Sequence, residues 1–240
     1  MKKERLDKIL ASQNFGSRKE VGAAIRGGRV SIGGKTVLKP DFKMDPESGA
    51  IAVDGNEIVF KRRLYLMMNK PAGVLSASRD TRARTVVDLL PEPYRRRGIF
   101  PAGRLDRDTE GLLILTDDGL FAHRMLSPRS HVKKWYEARL AAPVTEEDRA
   151  AFRAGIQLSD WTCLPAELQV LEEGQSPVVC VRICEGKYHQ VKRMFAARGN
   201  QVLRLRRVRI GGLSLDPELV SGKTREMSPE ECRRIFHNEP

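Results

Sequence analysis

The pattern of apolar residues changes near residue 60, and this change predicts that the chain folds as two domains. Before it, short helical patterns and a glycine turn follow one another closely, whereas strand-like apolar runs alternate with helical patterns after it. A chain of 240 residues is long enough to form a substantial core beside a second, small domain. We therefore expect a small domain over residues 1–60 and a larger one over residues 64–240.

The first domain is predicted to contain two helices followed by a hairpin. Leu6, Ile9 and Leu10 recur at helical spacing, and Ser17 with Glu20 is the capping-box signature of a second helix. The stretch "RVSIGGKTV" then predicts a hairpin that turns at its two glycines. Candidate RNA-binding side chains on these elements are Arg18, Lys19, Arg26, Arg29 and Lys35. Such side chains suit contacts with RNA phosphates, although a solvated basic face is the alternative interpretation.

The second domain mixes strand-like and helical patterns. The runs "LLILT", "KKWYEARL" and "SPVVCVRIC" are typical of strands. The stretch "YHQVKRMFAARG" places Val191, Met194 and Phe195 on one face of a helix. In "QVLRLRRVRIGG" apolar residues alternate with arginines, which predicts a strand with one inward face and one basic face. These patterns indicate a mixed α/β domain.

The charge of the chain indicates which partners it can bind. A formal net charge of +12 favours a polyanionic partner, nucleic acid first and an anionic membrane surface second. The start "MKKERLDKIL" lacks the apolar core of a signal peptide, and no apolar run approaches the roughly 18 residues of a membrane-spanning helix. We therefore expect a cytoplasmic protein without membrane contact. The scattered cysteines and histidines indicate reduced thiols and no metal site.

One stretch gathers carboxylates in this otherwise basic chain: "GRLDRDTEGLLILTDDG", at residues 103–119. The spacing of Asp106, Asp108 and Glu110 imitates a calcium-binding loop, but the apolar second half of the stretch suits a strand instead. Two carboxylates a few residues apart are also compatible with a glycosidase pair, a chemistry that suits so basic a chain poorly. An exposed turn held by ion pairs is the third interpretation.

Four motifs in a fixed order resemble those of a known enzyme family. They are "NKPAG" at 69–73, "GRLDRDTEGLLILTDDG" at 103–119, "KKWYEARL" at 133–140 and "EGKYHQVKRMFAARGNQV" at 185–202. Together they resemble the pseudouridine synthases, and most of residues 5–55 resembles the alpha-L RNA-binding domain. Within the family, the chain resembles the branch that modifies small-subunit ribosomal RNA. The resemblance implies an α+β fold, in which the helix-helix-hairpin domain precedes a catalytic domain with a mostly antiparallel mixed sheet.

The resemblance also implies roles for five residues of the second domain. Asp106 would be the catalytic carboxylate, either as nucleophile at C1′ or as base at C2′ of the ribose. Lys192 would favour the ionised form of Asp106, and Tyr136 would stack on the target base and could assist removal of the C5 proton. Arg104 would occupy the space that the flipped base leaves, and Leu205 would form an apolar wall under the base. Four further carboxylates are better assigned to holding the loop and its turn than to proton transfer: Asp108, Glu110, Asp117 and Asp118.

The implied function is the isomerisation of uridine to pseudouridine, which needs no redox step or group transfer. We therefore expect no cofactor and no metal. The expected partner is ribosomal RNA or a small-subunit assembly particle, and the expected state is a monomer. Two alternatives remain: the same reaction on large-subunit ribosomal RNA, and a non-catalytic RNA-binding or ribosome-assembly protein. The presence of Asp106, Tyr136 and Lys192 argues against the second.

Overall fold

The structure is a computed structural model, and it describes residues 3–95 and 97–237. The chain forms two compact units, which comprise residues 1–64 with 91–99, and residues 65–90 with 100–240. The segment 91–99 thus makes its contacts with the first unit, although it lies within the second in chain order. The domain limits predicted from the sequence, 1–60 and 64–240, stay a prediction.

The first unit combines short helices with short strands. Its helices in the described residues are α1 (Leu6–Ser12), α2 (Arg18–Arg26) and α3 (Glu92–Arg95). Its strands are β1 (Glu4–Arg5), β2 (Val30–Ile32), β3 (Lys35–Thr36), β4 (Lys43–Met44), β5 (Ile51–Val53) and β6 (Asn56–Ile58). Strand β1 pairs with β4, and the other four form an antiparallel sheet in the order β3-β2-β5-β6.

Local signals in the sequence account for these elements. The Ser17 side chain accepts a hydrogen bond from the Glu20 backbone while the Glu20 side chain accepts one from the Ser17 backbone, so α2 begins with a complete capping box. Strands β2 and β3 are joined at Gly33 and Gly34, whose φ values of 55° and 78° suit glycine. The apolar side chains of the elements form one core: Leu6, Ile9, Leu10, Val21, Ile25, Val30, Met44 and Ile51.

The second unit is built on one large sheet. Its α-helices in the described residues are α4 (Gly119–Leu126), α5 (Glu146–Ala154), α6 (Gln190–Ala197) and α7 (Pro229–Arg234), and two 3₁₀ helices span Val87–Leu89 and Pro128–Ser130. Its strands are β7 (Tyr65–Lys70), β8 (Phe100–Pro101), β9 (Glu110–Thr116), β10 (Lys134–Leu140), β11 (Glu167–Glu172), β12 (Val178–Ile183), β13 (Val202–Ile210), β14 (Leu213–Ser214) and β15 (Thr224–Glu226). In the described ranges, no helix of either unit is long and apolar enough to cross a membrane.

The strand order of this sheet is β11-β12-β10-β13-β9-β7-β15, with β14 beside β13 and β8 beside β9. The pairing of β13 with β9 is parallel, and the other pairings among the described strands are antiparallel. This arrangement confirms the expected α+β class with a mostly antiparallel mixed sheet. One core of this unit contains Met67, Leu112, Ile114, Met125 and Ile210. The buried rings of Phe152 and Phe195 also pack together, with their centres 4.9 Å apart.

The parallel junction of β9 and β13 decides where the acidic loop lies. At this junction Glu110 pairs with Arg206, and Gly111 pairs with Arg207. Gly111 has a φ of 98°, and a Cβ atom there would overlap the backbone of Arg207, so only glycine lets the strands approach this closely. The loop of residues 103–109, which leads directly into β9, is therefore held beside the middle of β13.

The prediction that β13 turns its arginines outward is wrong at one position. Arg207 is buried, with 4% of its surface exposed. The cause is the strand period of two: once Leu205 faces inward, Arg207 must share its face. The two adjacent arginines at 206 and 207 cannot both point to solvent. One guanidinium group therefore enters the interior of the unit.

Candidate active site

A cavity of about 480 Å³ opens in the second unit beside the acidic loop. Its walls come from residues 103–109, from strands β10 and β13, and from residues 183–191 before and within the start of α6. Four of the five residues to which the resemblance gives a role line this cavity: Arg104, Asp106, Tyr136 and Leu205. The fifth, Lys192, joins them through an ion pair with Asp106. The structure thus brings all five together.

A buried lysine holds the loop that carries Asp106. The Lys70 side chain, at the end of β7, is fully buried. Its Nζ atom donates to the backbone oxygens of Pro71 (3.0 Å), Asp106 (3.1 Å), Arg107 (3.2 Å) and Thr109 (2.9 Å). The Ser76 hydroxyl adds two bonds, because it donates to the Leu105 oxygen and accepts from the Leu105 nitrogen. Hydrogen bonds from Lys70 and Ser76 therefore hold the loop in place.

Burial lowers the pKa of Lys70 to about 8, while the nearby carboxylates of Asp108 and Asp106 oppose this shift. The ammonium group is therefore still protonated at neutral pH and can donate three hydrogen bonds at a time. The role of Lys70 was not predicted from the sequence, in which its segment served only for the family resemblance. The available signal was a lysine at the end of the otherwise apolar run "LYLMMNK".

Asp106 and Lys192 form the ionic centre of the site. Lys192 Nζ lies 3.3 Å from Asp106 Oδ2 and 2.5 Å from Asp108 Oδ1. The hydrogen bond from Lys192 lowers the pKa of the Asp108 carboxyl below its usual value. Asp108 was predicted only to hold the loop, and the structure shows that it also contacts the predicted catalytic lysine.

His189 is a further residue of the site that the sequence analysis did not single out. Its Nε2 atom lies 3.6 Å from Asp106 Oδ1, and its ring stacks on that of Tyr188 with centres 3.8 Å apart. The backbone of His189 is left-handed, with a φ of 52°, which starts α6 in the direction that brings Lys192 to Asp106. Its position three residues before Lys192 was the signal that could have identified it.

Strands β10 and β13 supply the walls of the cavity opposite the loop. Tyr136 pairs with Arg207 and Ala138 pairs with Leu205, so that the side chains of Tyr136 and Leu205 share one buried face. Arg207 Nη1 lies 3.5 Å from the Tyr136 hydroxyl, and its Nε atom donates to the Leu112 oxygen at 2.8 Å. Arg207 also lines the cavity and was not among the predicted site residues.

The other carboxylates of the stretch have structural partners. Glu110 pairs with Arg204 at 2.6 Å. Asp118 caps helix α4 by accepting hydrogen bonds from two backbone nitrogens, and it also accepts one from the Tyr65 hydroxyl at 2.8 Å. Within residues 3–95 and 97–237, no three histidine, cysteine, aspartate or glutamate side chains are grouped as metal ligands. Strand β9 occupies the second half of the imitated calcium loop.

The five predicted RNA-binding residues lie on the exposed surface of the first unit. Arg18 pairs with the buried Asp7 at 3.1 Å, and Arg29 pairs with Asp54 at 2.5 Å. Lys19, Arg26 and Lys35 have no ion-pair partner in the part of the chain that the structure describes, so their charges are available to a phosphate group.

Comparisons with known proteins agree with this geometry. The family model described as RNA pseudouridylate synthase matches residues 64–197, and that of the S4 domain matches residues 4–48. The chain is 45% identical over 238 residues to the "uncharacterized RNA pseudouridine synthase YtzG" of Bacillus subtilis, covering 98% of this chain and 99% of that protein. It is 44% identical over 234 residues to ribosomal small subunit pseudouridine synthase A of Escherichia coli, covering 96% and 99%.

A solved structure described as a pseudouridylate synthase is also similar. It is 37% identical in sequence, covers 96% of this chain and 99% of its own, and superposes with a TM-score of 0.68. The relatives and the solved structure thus match nearly the whole chain, and the family model matches more than half of it. The chain belongs to the RNA pseudouridylate synthase family.

Proposed function

We propose that this chain isomerises a uridine of small-subunit ribosomal RNA to pseudouridine, with Asp106 as the catalytic carboxylate. The observation that carries the proposal is the ion pair of Asp106 and Lys192 at the wall of the cavity. A carboxylate that reacts with ribose must be ionised, and a fixed cation favours that form. The small-subunit target is inferred from the relative named ribosomal small subunit pseudouridine synthase A.

The reaction replaces the bond from N1 of uracil to C1′ of ribose by a bond from C5 to C1′. Asp106 would act at the sugar, by attack on C1′ or by removal of a proton from C2′. Its side chain is only 27% exposed, and RNA that covers the cavity would remove it further from water. The low dielectric of a covered site would strengthen the interaction of Asp106 with Lys192.

The walls of the cavity suit a flipped base. We assign the ring of Tyr136 to stacking on the uracil and the side chain of Leu205 to the apolar surface below it. The Tyr136 hydroxyl is a candidate for the group that removes the C5 proton. Arg104 is exposed at the rim of the cavity, where it could fill the gap that the flipped base leaves in the RNA.

The first unit would hold the RNA without taking part in bond breaking. We assign phosphate contacts to the predicted residues Arg18, Lys19, Arg26, Arg29 and Lys35. Such contacts position the substrate but carry little sequence information. The choice of one uridine would come from the shape of the ribosomal RNA, either free or within a small-subunit assembly particle.

The experiment is to map pseudouridine in both ribosomal RNAs of a strain that lacks this protein. One site should be missing from the small-subunit RNA, and the parent gene should restore it while Asp106→Asn should not. If the missing pseudouridine lay in the large-subunit RNA instead, the proposed substrate would be refuted, while the proposed reaction would still stand. Restoration by Asp106→Asn would remove Asp106 from the mechanism.

A further inference from the structure

Two buried cations face the cavity without a carboxylate partner. Lys134 is 9% exposed and Arg207 is 4% exposed, and both line the cavity. Lys134 Nζ donates to the Val132 oxygen at 2.9 Å, and Arg207 Nε donates to the Leu112 oxygen at 2.8 Å. Neither side chain forms an ion pair within the described ranges of the chain, and Arg207 Nη2 is buried without any hydrogen-bond partner.

Such an arrangement is unfavourable in the protein alone. A buried charge loses its hydration, and a partner of opposite charge normally compensates for this loss. Burial, with a smaller contribution from the charge of Arg207, lowers the pKa of Lys134 to about 8. Arg207 cannot escape the cost by losing its proton, because a guanidinium group stays charged in proteins. Glu185, which also lines the cavity, opposes the shift of Lys134 but forms no ion pair with it in the described residues, so a negative charge that enters the cavity would complete the compensation.

Both cations are neighbours of Tyr136, the residue that is proposed to stack on the base. Lys134 and Tyr136 are two positions apart in β10, so both point to the same face of the sheet. Arg207 stands opposite Tyr136 in β13, with Nη1 3.5 Å from the hydroxyl. A base stacked on Tyr136 would lie close to both positive charges.

We propose that Lys134 and Arg207 stabilise the negative charge that develops on uracil when it is detached from ribose. This inference rests on the proposed function, the isomerisation of uridine. When the bond from N1 to C1′ breaks, its electron pair stays on uracil, and the charge spreads over the ring and its two carbonyl oxygens. Neutral uridine does not carry this charge, so the field of the two cations favours the detached base over the bound substrate.

The charge disappears again before the product is released. C5 of the uracil anion donates an electron pair to C1′, which forms the new carbon–carbon bond. A base then takes the proton from C5, the electron pair of the C5–H bond forms the C5=C6 double bond, and N1 takes up one proton. The cations are thus needed only between bond cleavage and bond formation. A carboxylate paired with either cation would cancel its field, and in the described residues neither cation has such a partner.

The test compares Lys134→Met and Arg207→Met with Arg206→Met in the full chain. Arg206 is the adjacent arginine of β13, and it pairs with Glu137 on the face opposite Tyr136, so it is a matched control for the loss of one charge. Single-turnover rates are measured at saturating concentrations of the ribosomal RNA transcript that the parent enzyme modifies. Stability is measured by urea unfolding.

Each of the two cavity variants should lose about a hundredfold in rate, as expected for removal of one preorganised charge from an active site. The free energy of unfolding should change little, because each variant no longer buries an unpaired charge but also leaves a backbone oxygen without this donor. Arg206→Met should behave like the parent. Rates within a few-fold of the parent for both cavity variants would overturn the inference, as would a loss of rate that follows a loss of stability.

A second measurement replaces the target uridine by 5-fluorouridine and follows the loss of the starting nucleotide. Fluorine stabilises the negative charge on the detached base, so less help from the protein is needed. The rate defect of Arg207→Met and Lys134→Met should therefore be smaller with 5-fluorouridine than with uridine. Equal defects would overturn the inference. Failure of the parent enzyme to modify any ribosomal RNA would instead refute the proposed function, so the two failures are distinguishable.

Discussion

Lys192 lies between two carboxylates, with its Nζ atom 3.3 Å from Asp106 Oδ2 and 2.5 Å from Asp108 Oδ1. The shorter contact is made to the more exposed partner, because the Asp108 side chain is 74% exposed and that of Asp106 is 27% exposed. Water screens an exposed ion pair, so its short distance does not make it the stronger interaction. Covering of the site by RNA would strengthen the pair with Asp106.

The first prediction concerns Asp106→Asn, which keeps the shape of the side chain and removes its charge. RNA binding should survive, while the rate of isomerisation should fall by at least about a thousandfold, equivalent to roughly 4 kcal/mol. The measurement is release of tritium from C5-labelled uridine. Asp108→Asn, the same change two residues later, should keep most of the activity because Lys192 can then pair with Asp106 alone. Near-normal turnover of Asp106→Asn would contradict the assignment.

The second prediction concerns Lys192. Lys192→Met should lower the single-turnover rate at saturating RNA by about a thousandfold, because a desolvated carboxylate without its partner costs several kcal/mol. Lys192→Arg keeps the charge and should retain part of the activity, although the larger planar group can displace Asp106. If Lys192 were only a surface charge, Lys192→Met would stay within a few-fold of the parent, since exposed pairs contribute about 0–1 kcal/mol.

The third prediction concerns the hydrogen bonds that hold the loop of residues 103–109. Lys70→Met removes the donor of four backbone oxygens, and each buried acceptor left unsatisfied costs about 1–3 kcal/mol. The free energy of unfolding and the single-turnover rate should both fall, and the affinity for RNA should change little. Ser76→Ala, which removes only the two bonds to Leu105, should show the same losses on a smaller scale. Full activity of Lys70→Met would show that the loop keeps its position without the lysine.

The fourth prediction concerns the pH dependence of stability. The pKa of Lys134 is about 8 in the folded chain, below the usual 10.5 that we assign to the unfolded chain. Between these values the unfolded state binds more protons, so this group raises the free energy of unfolding as pH rises from 8 to 10.5. The free energy of unfolding of the parent minus that of Lys134→Met, both measured by urea unfolding, should therefore increase over this interval. Below pH 8 this difference should stay constant. A difference that does not change with pH over this interval would mean that Lys134 keeps its proton in the folded chain.

The fifth prediction concerns the first unit. Replacing Lys19, Arg26 and Lys35 together by alanine should weaken binding to ribosomal RNA and reduce the salt dependence of the affinity. Each lost phosphate contact lowers the slope of log K against log salt by about 0.7–0.9. The single-turnover rate at saturating RNA should stay within a few-fold of the parent, because these contacts do not act in bond breaking. Equal salt slopes for parent and variant would show that these side chains do not contact the RNA.

The helices of the site region could be predicted from the sequence because their signals are local. The face of α6 formed by Val191, Met194 and Phe195 is buried as predicted, and Asp118 ends the predicted turn by capping α4. Helix periodicity and capping depend on residues three or four positions apart, so they are visible in a single sequence. The family resemblance then identified Asp106, Tyr136 and Lys192 as candidates that belong together.

Only the tertiary structure decided how the remaining side chains complete the site. Asp108 and Lys192 are 84 positions apart, and Lys70 reaches backbone oxygens up to 39 positions away. The burial of Arg207 follows from its register opposite Tyr136, and no local pattern records which strand will lie beside which. Local patterns thus determined the elements of this protein, and the family resemblance indicated its candidate residues. The positions of its buried cations were decided by strand pairing and packing, because those contacts form between residues that are distant along the chain.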